Sequence, residues 1–581
     1  MFDLVIKGGT IVDGTGAPSR RGDIAIRDGV LVQVGGTVQG PAKDVIDATG
    51  LLVTPGFVDV HSHYDGQVTF DDVLEPSAGH GVTTVVIGSC GIGFAPARPD
   101  DHDRLIEVME WVEDIPAATL KAAMPWTWES FPEYLDAIEA RRFSMDVGTQ
   151  IGHVAVRTYV MGDRGVRNEE ASQADIDAMA AIVRDGIEAG ALGFSTSRVI
   201  NHRTAAGEPV PGTFATEEEL FGLAAAVASA GPRAVFQLAE AGADGADPES
   251  TLKELDWMRR LSAELDLPVS FLLLQSFAAP DLWREVLDRC LAAREDGADL
   301  VAQVANRPFG MLLGLTTRHP FVMRKTFVEL AAQHRTPEAL AEALADPQVR
   351  AAILAEENTV ASSDRFEQLG MMIHRLPQMV FPLTDELDYE PTPDRSVAAL
   401  AAARGASLEE VFYDHMITGG GRAMFVVPFF NYVHGDHQDI YEMLVHPATV
   451  PGLGDGGAHI ATICDASMPT YQLSHWVRGR TRGPKLSLEE AVRMQTRDTA
   501  LHFGLSDRGT LEVGKKADLN VIDLDRLDLL MPRAVADLPA GGMRLLQDAV
   551  GYRATIVSGV VTRRDDADTG ARPGRLVRGA R

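Results

Sequence analysis

The sharpest chemical signal in the chain is Val58-Asp59-Val60-His61-Ser62-His63, which follows Pro55-Gly56. Residues i and i+2 of a strand point to the same face, so His61 and His63 project together. Two converging imidazoles make a seat for a metal ion where such a strand ends at a pocket. A thiol and a carboxylate occupy comparable settings: Cys90 in Gly88-Ser89-Cys90-Gly91 and Asp455 in Gly454-Asp455-Gly456-Gly457, each just past an apolar run. By residue type alone each also has a plain reading. A free cysteine is commonly a small buried apolar residue, and Asp-Gly is a frequent turn.

The elements that must position these groups can be read from the apolar runs. Short β-branched segments recur at 56–63, 81–89, 147–154, 190–197, 233–240, 268–275, 298–305 and 449–457. Most are separated by Ala/Glu/Arg-rich stretches of helical character. Eight strands alternating with helices imply an α/β fold, a (β/α)8 TIM barrel, with catalytic groups at the strand C-termini. The predicted barrel spans 55–506, and an insertion at about 306–448, too long for one βα unit, is expected to serve as a lid or substrate wall. Residues 1–54 and 507–565 carry short strands broken by Gly and Asp-Gly. Neither piece buries a core alone, so the two are expected to share one small β-sandwich. The tail, 566–581, reads as a frayed end.

Composition narrows the setting. A net charge of −30 over 581 residues argues against nucleic acid and anionic membranes as partners. Three scattered cysteines are too few for a disulfide framework. The N-terminus lacks an export signal and no run of 18 apolar residues occurs, so the expectation is a cytoplasmic enzyme acting on a small molecule. A homo-oligomer is compatible with the sequence.

The terminal strands GGTIVDGTG and GTLEVGKKADLNVID, with VTPGFVDVHSHYD between them, resemble the amidohydrolase superfamily. GVTTVVIGSCGIGFAP at 81–96, EWVEDIP at 110–116, PWTWESFPEYLDAI at 125–138 and GALGFSTSR at 190–198 are similar to the D-aminoacylases, the N-acyl-D-amino-acid deacylases. The resemblance implies that His61 and His63 are metal ligands, that Cys90 ligates zinc where relatives use a carboxylated lysine, and that Asp455 binds metal or activates water. His153 matches a histidine of the family; ligand, substrate contact and core histidine all stay open for it. Arg157 and Arg198, near strand ends, are candidates to clamp a substrate carboxylate, with structural salt bridges as the alternative. His202 and His459, with Asp465, are candidate pocket residues. Trp111, Trp126 and Trp128 read as packing.

The chain also departs from the family. Relatives carry a histidine at the end of strand five and another at strand six, yet no histidine occurs here from 203 to 318. Gln237, Glu240 and Gln275 stand in that region instead, suited to hydrogen bonds with substrate or with one another. No lysine occurs from 122 to 252, which excludes a bridging carboxylated lysine on strands three to five. What remains, His61, His63, Asp455 and Cys90, suffices for one divalent ion, and imidazole with thiolate suits Zn2+. Such an ion would acidify a water and polarise an amide carbonyl, with Asp455 as general base and then acid. The expected function is therefore metal-dependent amide hydrolysis, most simply of an N-acyl-D-amino acid. A hydrolase of a cyclic amide and an inactive scaffold stand as the other readings.

Overall fold

The computed structural model describes residues 1–231, 233–243, 245, 247–358, 369–384 and 386–579. Parts of the expected insertion (359–368 and 385) and the last two residues of the tail lie outside the described residues.

Eight parallel strands form the central sheet: β1 (Phe57–Asp59), β2 (Val82–Ile87), β3 (Asp146–Gly152), β4 (Gly193–Ser197), β5 (Val235–Ala239), β6 (Val269–Leu273), β7 (Leu300–Val304) and β8 (Thr449–Pro451). They pair in chain order. The ends close on each other at the mouth, where Ser62 and Gly456 form a parallel bridge and the His63 N–H donates to the Gly456 carbonyl at 2.7 Å. Strands covered on both faces need continuous apolar sequence, and every residue of β2 is buried. The outer helices show the complementary periodicity. In Gln173–Ala189, Ile176, Met179, Val183 and Ile187 face inward, a Ser172/Asp175 capping box opens the helix, and Gly190 closes it at φ 119°.

Both termini build one nine-stranded sheet beside the barrel. Leu52–Pro55 pairs with Leu519–Ile522 and with the end of Phe2–Ile11, so the two termini meet within one hydrogen-bonded ladder. Phe2–Ile11 divides at Gly8, φ 69°: residues 2–7 pair with Ala42–Asp47, whereas Thr10 and Ile11 pair with Leu52 and Val53. An added Cβ at Gly8 would sit 2.8 Å from Thr49 Oγ1. Leu4, Ile6, Ile24, Ile26, Val53, Leu519 and Ile556 supply this sheet's own core.

The insertion contains a three-stranded antiparallel sheet, with Met424–Phe430 between Phe309–Gly314 and Phe381–Leu383. Its central strand alternates with period two. Phe425 and Val427 join a separate core with Met311, Leu313, Phe321 and Phe412, while Met424 and Val426 join the barrel core. One face of this strand thus packs on the barrel core, alongside Leu312, Phe381, Leu383 and Tyr432 of the insertion, and the strand ends at Phe430.

As far as residue 579 the tail is paired rather than frayed. Its backbone pairs with the barrel base, through Phe143 N–H to Gly574 O at 3.1 Å, Val147 N–H to Arg575 O at 3.0 Å and Val577 N–H to Val147 O at 2.8 Å. Polar composition concealed this, because backbone pairing needs no apolar side chain. Asp146 at the start of β3 joins the pieces, accepting from Arg508 at 2.7 Å, Lys516 at 2.8 Å and the Arg575 N–H at 3.0 Å. Burial pushes its carboxyl up, but Lys516 and Arg508 hold it below the usual range. Removing one partner of a buried ion pair leaves an uncompensated charge. Asp146→Ala should therefore lower unfolding stability by about 3–5 kcal/mol, read from denaturant midpoints. A change within the scatter of surface substitutions would show that this network does not join barrel and tail.

Candidate active site

His61 and His63 stand at the C-terminal end of β1, Cys90 after β2 and Asp455 after β8, all buried. One nitrogen or sulfur of each of His61, His63 and Cys90 lies within 4.8 Å of the others. His61 Nε2 is 3.3 Å from Asp455 Oδ1 and 3.5 Å from Cys90 Sγ. His63 Nε2 is 3.7 Å from the same Asp455 oxygen.

The orientation of His61 is set from below. Its Nδ1 has two neighbours, Gln303 Oε1 on β7 at 2.6 Å and Gln237 Nε2 at 3.1 Å; the shorter contact is to an oxygen that can only accept, which puts the proton on Nδ1 and the lone pair on Nε2. Gln237 on β5 donates to that same oxygen at 3.2 Å, Gln150 on β3 donates to Gln237 at 2.7 Å, and Gln303 donates to Ser270 on β6 at 3.0 Å. Four strands thus contribute one buried amide network beneath the histidine. Gln237 belongs to it; the residue is fully buried under His61 and does not line the cavity above.

Burial pulls His61 down to about 4 and His63 to about 3, so both are neutral at ordinary pH. Burial, reinforced by Glu113 and Asp455, pushes the Cys90 thiol well above its usual value. A lone pair, a thiol and the Asp455 carboxylate therefore converge. A divalent ion reverses each of these penalties, and the donor set fits one. Backbone strain marks the same place: Cys90, Leu453, Asp455 and His459 all hold φ between 47° and 61° and all line the cavity.

The cavity at this mouth has a volume of about 290 Å³. His202 lines it, held by Ser197 Oγ at 2.8 Å, and so does His459. Most of the remaining wall is apolar: Val199, Ala243, Leu272, Leu274, Phe309 and Phe430. Leu272 and Leu274 come from β6 and the residue just past it, where relatives were expected to carry a histidine. Phe309 and Phe430 come from the insertion.

Other candidates lie elsewhere. Arg157 is buried and bound to both Glu219 oxygens at 2.7 Å, and His153 is held between Glu219 at 2.9 Å and Thr196 at 2.8 Å. Arg198 pairs with Glu254 at 2.8 Å and with the Ala215 carbonyl at 2.7 Å. Neither arginine nor His153 lines the cavity, and among the described lining residues there is no Lys or Arg. Gln275 donates to Asp439 at 2.5 Å, and Asp465 pairs with the buried Arg307 at 2.8 Å.

Sequence reasoning missed Glu113 and Gln303. Glu113 lines the cavity, with Oε1 3.5 Å from His63 Nδ1 and Oε2 3.6 Å from His459 Nε2. It ends the helix His102–Glu113, where a carboxylate faces the negative end of the dipole. That misplaced charge within EWVEDIP was the available signal. Gln303 offered none beyond a polar residue inside an apolar strand.

A family model described as the amidohydrolase family matches residues 44–563, and the chain belongs to that family. It is a metal-dependent hydrolase of C–N bonds other than peptide bonds. The D-aminoacylase of Alcaligenes xylosoxydans xylosoxydans is 26% identical over 578 residues, 99% of this chain and 97% of its own. A D-aminoacylase crystal structure superposes with a TM-score of 0.65 at 24% identity over the whole of both chains. The N-acyl-D-glutamate deacylase of Bordetella bronchiseptica, crystallised with zinc and a phosphonate mimic of the tetrahedral intermediate, gives 0.64 at 23% over 99% of each. Among the described residues no helix is long and apolar enough to cross a membrane.

If Cys90 is a ligand, metal loading must drive off its proton. Addition of Co2+ to the metal-free chain should release about one proton and produce a sulfur-to-cobalt charge-transfer band. Both should vanish in Cys90→Ser; a band that persists there would place the metal away from Cys90.

Proposed function

We propose that the chain hydrolyses an N-acyl amide bond at a single divalent ion, zinc, held by His61, His63, Cys90 and Asp455. The observation that carries this reading is the lone pair of His61 Nε2, fixed toward a thiol and a carboxylate in a buried cavity. The bound ion would supply Lewis-acid polarisation of the scissile carbonyl and a water acidic enough to react near neutral pH. Asp455 Oδ1 faces the two imidazoles, which leaves Oδ2 to take the proton of the attacking water and return it to the departing amine nitrogen. Gln303 keeps His61 in its working tautomer throughout. His459, His202 and Asn201 are polar groups on the wall that can orient the amide.

The second metal position used by relatives is unsupported here. Gln237 is committed to other glutamines, and Leu272, Leu274 and Ala243 line the cavity on the strand-five and strand-six side. One ion is what this donor set accommodates.

The wall also bears on the substrate. The full-length likeness to a D-aminoacylase supports an N-acyl-D-amino acid, and the apolar lining favours apolar side chains on it. Among the described lining residues no arginine or lysine stands to pair with an acidic side chain, whose unpaired burial costs several kcal/mol. Zinc-loaded protein, assayed on N-acetyl-D-leucine, N-acetyl-D-phenylalanine, N-acetyl-D-aspartate and hydantoins, should favour the apolar acyl compounds over the aspartate by about 100-fold or more in kcat/KM. Asp455→Asn should reduce kcat by about 10²–10⁴-fold with little change in KM. Faster turnover of the aspartate compound or of hydantoins would overturn the substrate assignment. Full activity of Asp455→Asn would overturn the role of that carboxylate.

A further inference from the structure

A second set of metal-type donors lies outside the barrel mouth. Glu390 and His437 belong to the insertion, and His475 to the π-helical turn Gln472–Gly479 after β8. Their donor atoms lie within 4.8 Å of one another: Glu390 Oε2 is 3.7 Å from His437 Nδ1 and 3.2 Å from His475 Nε2. Neither imidazole nitrogen has a hydrogen-bond partner, and His437 is wholly buried. His437 Nε2 lies 2.9 Å from the Tyr389 carbonyl oxygen, an acceptor only, so the ring proton sits on Nε2. Its Nδ1 therefore turns a lone pair toward a carboxylate oxygen, with no hydrogen between them.

We propose that Glu390, His437 and His475 form a second divalent transition-metal site that fastens the insertion to the segment after β8. The two separations bracket the spacing of about 3.4 Å between donors around a tetrahedral ion. Two histidines and one carboxylate leave a fourth position open, and His475 and Glu390 line a surface cavity of about 690 Å³ that gives an ion its route in. That cavity shares no lining residue with the barrel mouth.

The neighbouring groups fit this assignment. The His437 backbone N–H donates to Glu390 Oε1 at 2.8 Å, which leaves Oε2 directed at the imidazoles. The Tyr389 carbonyl plays the outer-partner part that orients a ligating histidine. Arg480 approaches both carboxylate oxygens at 3.4 Å, longer than a charge-assisted bond, while its Nη1 is held by the Pro484 carbonyl at 2.6 Å. It offsets part of the Glu390 charge, so this site should bind more weakly than the thiolate-containing one. An ion here would tie His437 in place seven residues beyond Phe430, the cavity wall.

The test is a CoCl2 titration of the full-length chain carrying His61→Asn and His63→Asn, which disable the barrel site. One equivalent of Co2+ should still bind, with ligand-field bands but no sulfur charge-transfer band, and should raise the thermal midpoint. Adding His475→Ala or Glu390→Gln should weaken that binding by about 100-fold or more and abolish the thermal shift. Two variants guard against misfolding of either, each checked by circular dichroism. Absence of binding in the His61→Asn/His63→Asn chain, or undiminished binding when either further substitution leaves the chain folded, would overturn the proposal.

Discussion

The position of one proton, on His61 Nδ1, is the constraint on which the rest of the site depends. Gln303 Oε1 can only accept, so the imidazole must donate downward and present its lone pair upward. The glutamine is itself fixed by Ser270 and Gln237, and Gln237 by Gln150, so the ring is oriented by side chains of β3, β5, β6 and β7 together. A barrel interior filled by layers of side chains makes such a network rigid. Rotation of any one amide would leave a buried donor or acceptor unpaired, at about 1–3 kcal/mol.

Above this network the mouth gathers two imidazoles, a thiol and the Asp455 carboxylate, with the Cys90 thiol 3.5 Å from the His61 Nε2 lone pair. Burial keeps both histidines neutral and drives the Cys90 thiol up. Burial also pushes Asp59 and Asp65, beside the two histidines, up to about 7. The loops meanwhile hold Cys90, Asp455 and His459 in left-handed backbone. Cross-links support that strain: the His459 N–H donates to the Glu113 carbonyl, and Ala458 N–H to Asp455 O at 2.9 Å. Electrostatic cost and backbone strain thus coincide at one cavity, as expected where a fold is shaped for a ligand rather than for its own stability.

How much of this was legible beforehand varied with the physical origin of each feature. The eight strands could be read because strands buried on both faces need unbroken apolar runs, and His61 and His63 because spacing two on a strand fixes a shared face. The absence of histidine from 203 to 318 is visible in the sequence itself, and in the structure Gln237, Leu272 and Leu274 stand on strand five and at the end of strand six. The destinations of Arg157 and Arg198 could not be read: a charge near a strand end does not reveal that Glu219 or Glu254 on a following helix will claim it. Gln303 looked like a flaw in an apolar strand, and Glu113 lay on a helix between strands, so neither had a local pattern tying it to the site.

We propose one ion in the barrel mouth, seated on His61, His63, Cys90 and Asp455, with the glutamine layer beneath it and Leu272, Leu274 and Ala243 on the strand-five and strand-six side. Anomalous diffraction from crystals of the zinc-loaded protein, recorded at the zinc absorption edge, tests it most directly. The account predicts a single peak in the barrel mouth, within bonding distance of His61 Nε2 and Cys90 Sγ and out of reach of Gln237 and Leu274. Two peaks bridged in the mouth, or a peak there with His61 turned away, would contradict it.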